Sequence, residues 1–197
     1  HFCVDGNNRL EIFGNGITTG TDVAENYSDT SGNLEAGDIV MLNDSRKEGA
    51  RAASGSYNQF MIGVISTDPG YLLSGIEENG VTTLINPKPV ALNGRVPVKV
   101  SLENGPIRAG DLITSSSTYG VGMKATGIGR VVGMALEPLD TVSSGSYQKI
   151  LVFVNPHWYG GGLSSSGLAQ TASGSSGTIF KDLNISSSGS KVEIGHA

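Results

Sequence analysis

Hydrolysis needs a nucleophile, a base and an electrophilic stabiliser held together. Nucleophiles are in excess here: Ser115, Ser116 and Ser117 stand in a row, and Asp22, Glu25, Asp68 and Asp111 supply acids. Bases are badly placed, because His1, His157 and His196 lie at the ends of the chain or of its central part. A Ser-His-Asp site would require the termini to dock together. Self-cleavage demands less, namely a hydroxyl beside a strained peptide bond and an assisting acid. Ser66, Thr67 and Asp68, or the acids Asp22 and Glu25, suit that chemistry. Each also has a structural use: Asp68-Pro69-Gly70 is a turn sequence, and Asp22 is suited to capping a short helical turn. The residues favour a noncatalytic chain over an enzyme, and no catalytic set is assigned.

Cofactor and metal chemistry find little support. Asp5, Asn7 and Glu11 follow an order faintly like a calcium loop but lack its twelve-residue pattern. His1 and Cys3 would need further ligands to hold a soft metal. Gly160-Gly161-Gly162 lacks the Gly-Lys-Ser/Thr ending of a phosphate loop. No metal or cofactor is expected. A formal net charge of −5 without a basic block argues against nucleic acid as a partner, and no run approaches the roughly 18 apolar residues of a membrane span. Cys3 is the sole cysteine, so an intrachain disulfide is impossible, and a small buried strand residue is expected. Asn26, Asn43 and Asn184 each begin a sequon. The aromatic residues Tyr57, Tyr71, Tyr119, Trp158 and Tyr159 are candidate binding residues for a surface receptor or glycan, provided that they gather in a groove. Trp158 and Tyr159 are expected to seal the end of the core.

With 29 glycines and only 16% charged residues, the composition favours turns over long surface helices. Strand-like runs occur at 39–42, 60–66, 96–101, 112–114, 130–136 and 149–155, while residues 22–27 read as a short helical turn. Pro97 lacks a donor, which predicts an edge or a bulge for its strand. An imperfect repeat organises these runs. Leu34-Glu35-Ala36-Gly37-Asp38-Ile39-Val40 is echoed by Ile107-Arg108-Ala109-Gly110-Asp111-Leu112-Ile113, and Met61-Ile62-Gly63-Val64-Ile65 by Val131-Val132-Gly133-Met134-Ala135. Matching glycines are 73 and 70 residues apart, which predicts two related β units closing on one core. Gly37, Asp38, Gly110 and Asp111 are expected to build the turns, with Gly63 and Gly133 permitting a bulge or a close backbone approach.

The division predicted is an N-terminal strand pair at 1–20, a β-rich core of two related units at 21–159, a Gly/Ser linker at 160–178 and a C-terminal docking segment at 179–197. The linker carries six Gly and six Ser in nineteen residues. Phe2, Val4, Ile12 and Phe13 at one end, and Ile179, Phe180, Leu183, Ile185, Val192 and Ile194 at the other, form segments too short to fold alone. They are read as assembly strands that need a receiving surface, on this chain or on another copy. A start at His1 rather than Met is expected from trimming, either by processing or by the way the chain was designed for production.

Residues 22–159 resemble modules of very large bacterial surface proteins and of phage tail-fibre or appendage proteins. The resemblance is carried, in order, by Asp22-Val23-Ala24-Glu25, Gly37-Asp38-Ile39-Val40, Gly63-Val64-Ile65-Ser66-Thr67-Asp68-Pro69-Gly70 and Arg95-Val96-Pro97-Val98-Lys99-Val100. It continues through Gly105-Pro106-Ile107, Gly110-Asp111-Leu112-Ile113-Thr114-Ser115-Ser116 and Val154-Asn155-Pro156. The first and third of these stretches also look like the G2-type autocleaving C-terminal chaperone domain, whose members help a trimeric fibre fold and then cut themselves free. The expectation is an all-β fold, a compact β-barrel or β-clip-like core with an internal pseudo-duplication and short terminal strands. Its expected role is a noncatalytic structural subunit of an extracellular filament, surface fibre or virion, partnered by copies of itself. A self-processing chaperone and a receptor- or glycan-binding module are the alternatives.

Overall fold

Alternation sets the strands. In the run from Arg95 to Val100, Val96, Val98 and Val100 are buried while Arg95 and Pro97 are exposed, the period of two that a pleated strand imposes. The computed structural model describes residues 20–73, 84–142 and 145–161, with the backbone of two short strand pairs outside them. In chain order the strands are β1 (Phe2–Val4), β2 (Leu10–Ile12), β3 (Asp22–Asp29), β4 (Ile39–Asn43), β5 (Gly49–Ala52), β6 (Met61–Ile65) and β7 (Tyr71–Leu73). They continue with β8 (Glu77–Glu78), β9 (Val81–Thr82), β10 (Pro87–Val100), β11 (Leu112–Ser115), β12 (Gly122–Lys124), β13 (Gly129–Ala135) and β14 (Gln148–Tyr159). No helix occurs among the described residues.

Ten strands form one mixed sheet in the order β12-β11-β13-β14-β10-β6-β4-β5-β3-β7. The first terminal pair is present as a β1–β2 ladder running from Phe2↔Ile12 to Val4↔Leu10. Phe13, the linker beyond residue 161 and the docking segment at 179–197 lie outside the described residues.

Two groups of strands share one pairing scheme. A hairpin, β4 with β5 or β11 with β12, is followed by a third strand, β6 or β13, which pairs with the hairpin's first strand and with a long strand, β10 or β14. The two long strands join antiparallel from Gly94↔Val154 to Val100↔Gln148. One core cluster spans this seam and draws on both groups, including Ile39, Met61, Val64, Val98, Ile113, Val132 and Val152. A second cluster, with Leu34, Val40, Ala50, Ile65 and Val90, covers the opposite face of β4 and β6. Both faces of β4 are therefore buried, which explains its unbroken Ile-Val-Met run.

Two expectations are corrected. The sheet is not a closed barrel: its order starts at β12 and ends at β7, and these end strands do not pair. It folds back instead through β10, which pairs with β3 along its first half and touches β12 at Val100↔Gly122. A bulge between Ala91 and Asn93 and a positive φ at Gly94 let β10 change neighbours there. Residues 22–27 are strand, not helical turn, because β3 is flanked by β10 on one edge and by β5 and β7 on the other. Its backbone groups are thus satisfied by ladders.

Pro97 lies within β10, opposite Leu151, and not in a terminal strand of the sheet. Arg95 and Lys99, on either side of it, donate from their backbone N–H groups to the Thr21 and Gly37 carbonyls at 3.1 and 2.9 Å. The missing donor falls between these two loop contacts and interrupts no ladder.

Candidate functional site

Each Ala-Gly-Asp turn is closed by its own aspartate. Asp38 Oδ2 accepts from the Glu35 N–H at 2.9 Å, and Asp111 Oδ2 from the Arg108 N–H at 2.7 Å. Gly37 and Gly110, with φ of 92° and 94°, donate to the Ile65 and Ala135 carbonyls at 2.9 and 2.8 Å. Each aspartate also meets a lysine: Lys99 Nζ lies 2.8 Å from Asp38 Oδ1, and Lys124 Nζ lies 3.0 Å from Asp111 Oδ2. These lysines were not anticipated, since alternation along 95–100 assigns position 99 to solvent. Lys99 is buried instead, reaching Glu35 at 2.9 Å and lying 5.1 Å from the Tyr147 ring centroid. Burial opposes its charge, but Asp38 and Glu35 outweigh that and hold its pKa above the ordinary lysine value. Asp111 is held low because the Arg108 N–H and Lys124 overcome the opposing effect of burial. Gly63 and Gly133 press on neighbouring strands: a Cβ at either would overlap the Ala91 or Phe153 carbonyl oxygen.

A different arrangement occurs where β3 begins. Gly20 packs against Gly70 so closely that a Cβ on either would overlap the other's backbone, and the Gly70 N–H donates to the Asp22 carbonyl at 2.9 Å. Thr21 Oγ1 donates to the Arg95 carbonyl at 2.8 Å. These contacts pin β3 and the 66–70 loop around a cleft of about 260 Å³ whose lining includes Asp22, Ser66, Thr67, Asp68, Arg95 and Leu151.

Asp22 is 6% exposed and Ser66 5%, and neither Asp22 Oδ2 nor Ser66 Oγ has a hydrogen-bond partner among the described residues. Burial raises the Asp22 pKa, and the like charge of Asp68 adds to the rise. The nearby Ser66 hydroxyl pulls the other way without reaching a well-formed hydrogen bond. A carboxyl with a raised pKa beside a hydroxyl is suited to proton transfer. Ser66, Thr67, Asp68 and Asp22 are thus brought together. Glu25 is not among the cleft residues, being an odd number of positions from Asp22 on the same strand, and it accepts from the Tyr27 hydroxyl at 3.4 Å. Left-handed backbone at non-glycine residues occurs at Glu48, Tyr57 and Asn86, none of them in this loop.

The remaining hydroxyls are tied into the fold. Ser115 Oγ donates to the Gly55 carbonyl at 2.7 Å, Ser116 Oγ to Val121 at 2.8 Å and Ser117 Oγ to Glu103 at 2.8 Å. His157 lies exposed on β14 beside the Asn155 carbonyl, while His1 and His196 lie outside the described residues. No group of three metal-ligating side chains occurs among the described residues. None of the five candidate binding aromatics lines the cleft. Tyr57 is held in place, its hydroxyl accepting from the N–H groups of Thr126 and Gly127 at 2.7 and 2.9 Å. Tyr71 is on β7, and Tyr119 is exposed in the turn between β11 and β12. Trp158 does not seal the core, being 62% exposed. Here β14 has run past its pairing with β10 and retains only β13 beside it.

A crystal structure of pre-mature bacteriophage phi29 gene product 12 shares this fold, with TM-score 0.55 and 19% identity over 78% of this chain and 24% of that one. A C-terminal fragment of the same phage protein aligns with TM-score 0.49 and 18% identity over 68% of this chain and 100% of the fragment. The chain thus spans about a quarter of the longer protein, and the likeness is one of fold. No family model matches the chain, and no curated protein matches it.

Proposed function

We propose that this chain is a noncatalytic structural module of an extracellular filament, surface fibre or phage tail fibre, assembling with copies of itself through its terminal β segments. The observation that carries this reading is the fold shared with a bacteriophage protein. The β-clip-like description of the core, its division into two related units and a cell-surface or virion location belong to the same proposal. Asp38 and Asp111 each close a turn, and Ser115, Ser116 and Ser117 are hydrogen-bonded into the fold, which suits a scaffold. Light scattering on the full chain tests the reading: a stable oligomer at micromolar concentration is expected, and a monodisperse monomer overturns it.

The Asp22–Ser66 cleft favours one second reading, a self-processing chaperone of a fibre protein. There the Asp22 carboxylate would take a proton from an attacking hydroxyl or water and return it to the leaving amide nitrogen. Mass spectrometry on a precursor extended upstream of His1 tests it. Cleavage lost in both Asp22→Asn and Ser66→Ala supports it, and an uncut precursor or unchanged cutting overturns it.

A further inference from the structure

β7 is the last strand of the sheet, and its outer edge meets no other strand among the described residues. Tyr71, Leu72 and Leu73 are 38%, 42% and 40% exposed, and Val23, in register with Tyr71 on β3, is exposed beside them. An apolar edge without charge, proline or bulge is a template for another strand. The β1–β2 ladder has the complementary need, because two strands of three residues are at best marginally stable alone in water.

Chain geometry brings the two together. Residues 13–19 connect Ile12 to Gly20, and Gly20 is pressed against Gly70, the residue immediately before β7. The chain upstream of Gly20 therefore issues at the N-terminal end of β7. Seven residues span about 15 Å as a flexible chain and at most about 25 Å when extended. An added strand would lie about 5 Å from β7. An antiparallel placement sets the C-terminal end of β2 next to Gly70 and needs the shortest connection.

We infer that the N-terminal hairpin docks on its own chain, with β2 antiparallel to β7, so that the sheet order continues β3-β7-β2-β1. A tether this short gives an effective concentration on the order of millimolar, well above that of a second copy in dilute solution. The inference rests on reading the terminal segments as docking strands, and it divides them: the N-terminal pair completes the chain's own sheet and leaves the segment at 179–197 for a neighbour.

A disulfide trap tests it in the full chain. With Cys3→Ser removing the native thiol, Glu11→Cys and Leu72→Cys place thiols at the central positions of β2 and β7. Oxidation at low micromolar protein should give an intrachain crosslink between positions 11 and 72, at least about tenfold faster than in a control pairing Glu11→Cys with Tyr119→Cys. Absence of that crosslink, equal rates in the control, or a crosslink joining two chains overturns the inference. Amide exchange on the unmodified chain gives a readout independent of the variants. Residues 10–12 should exchange at least about tenfold more slowly than in a peptide of residues 1–19, and equal rates overturn docking. Light scattering on the same samples separates the two readings. An intrachain crosslink in a monomer supports the docking and sinks the assembly proposal, whereas an oligomer joined through interchain crosslinks does the reverse.

Discussion

Two aspartates at matched turn positions have different surroundings, and their substitution should cost differently. Asp38 faces the buried Lys99, so Asp38→Ala leaves an ammonium with only the exposed Glu35 to answer it. Breaking a buried pair of this kind costs about 3–5 kcal/mol. Asp111 faces the part-exposed Lys124, and Asp111→Ala should cost about 1 kcal/mol. Urea denaturation of both variants measures the difference. Asp22 behaves oppositely to a paired carboxylate. Its folded pKa lies above the ordinary value, so the native state holds the proton more tightly than the unfolded chain. Its ionisation therefore removes stability as pH rises from the unfolded pKa through the folded one, and the loss is complete above the latter. Wild-type stability relative to Asp22→Asn should consequently increase as pH falls from 7 toward 4, read from urea midpoints across that range. A constant difference would show that the carboxyl is not perturbed.

At the scale of elements, the glycines distinguish space from conformation. Gly63 has a neighbouring strand where a Cβ would go, and the Ala91 carbonyl cannot swing aside without breaking the β6–β10 ladder. Gly63→Ala should cost about 3 kcal/mol or more. Gly110 has open space around it but a φ of 94°, so Gly110→Ala should cost only about 1–2 kcal/mol. Thermal denaturation of the two variants checks the order. Glycine stands at the positive φ of positions 37 and 110 and at the close approaches of positions 63 and 133, because local backbone demands of this kind show in residue type. The helical turn at 22–27 failed because nothing local to Asp22-Val23-Ala24-Glu25 announces the strands that flank it. Only pairing to β10, β5 and β7 makes it β.

For the whole molecule, the seam between β10 and β14 decides the behaviour. The main core cluster takes side chains from both four-strand groups, so neither buries its apolar face alone. Both should unfold in one transition, with calorimetric and van't Hoff enthalpies equal within error. Two resolved transitions would mean that the groups are independent. A chain ended after Tyr159 should keep this transition yet lose the oligomer, as seen by light scattering, if the segment at 179–197 couples copies. Retained assembly would assign the contact to the core.

The sequence by itself determined the all-β character and the six main core strands, because side-chain alternation is local physics. It also marked Ser66, Thr67, Asp68 and Asp22 as residues with more than one use. Tertiary structure alone decided that Asp22, forty-four positions before Ser66, shares a cleft with it, and that Lys99 turns inward to Asp38. It also decided that the sheet folds back through β10 without closing its ends. Each of these depends on which distant strands become neighbours, and that is set by burying one shared core rather than by any segment's own preference.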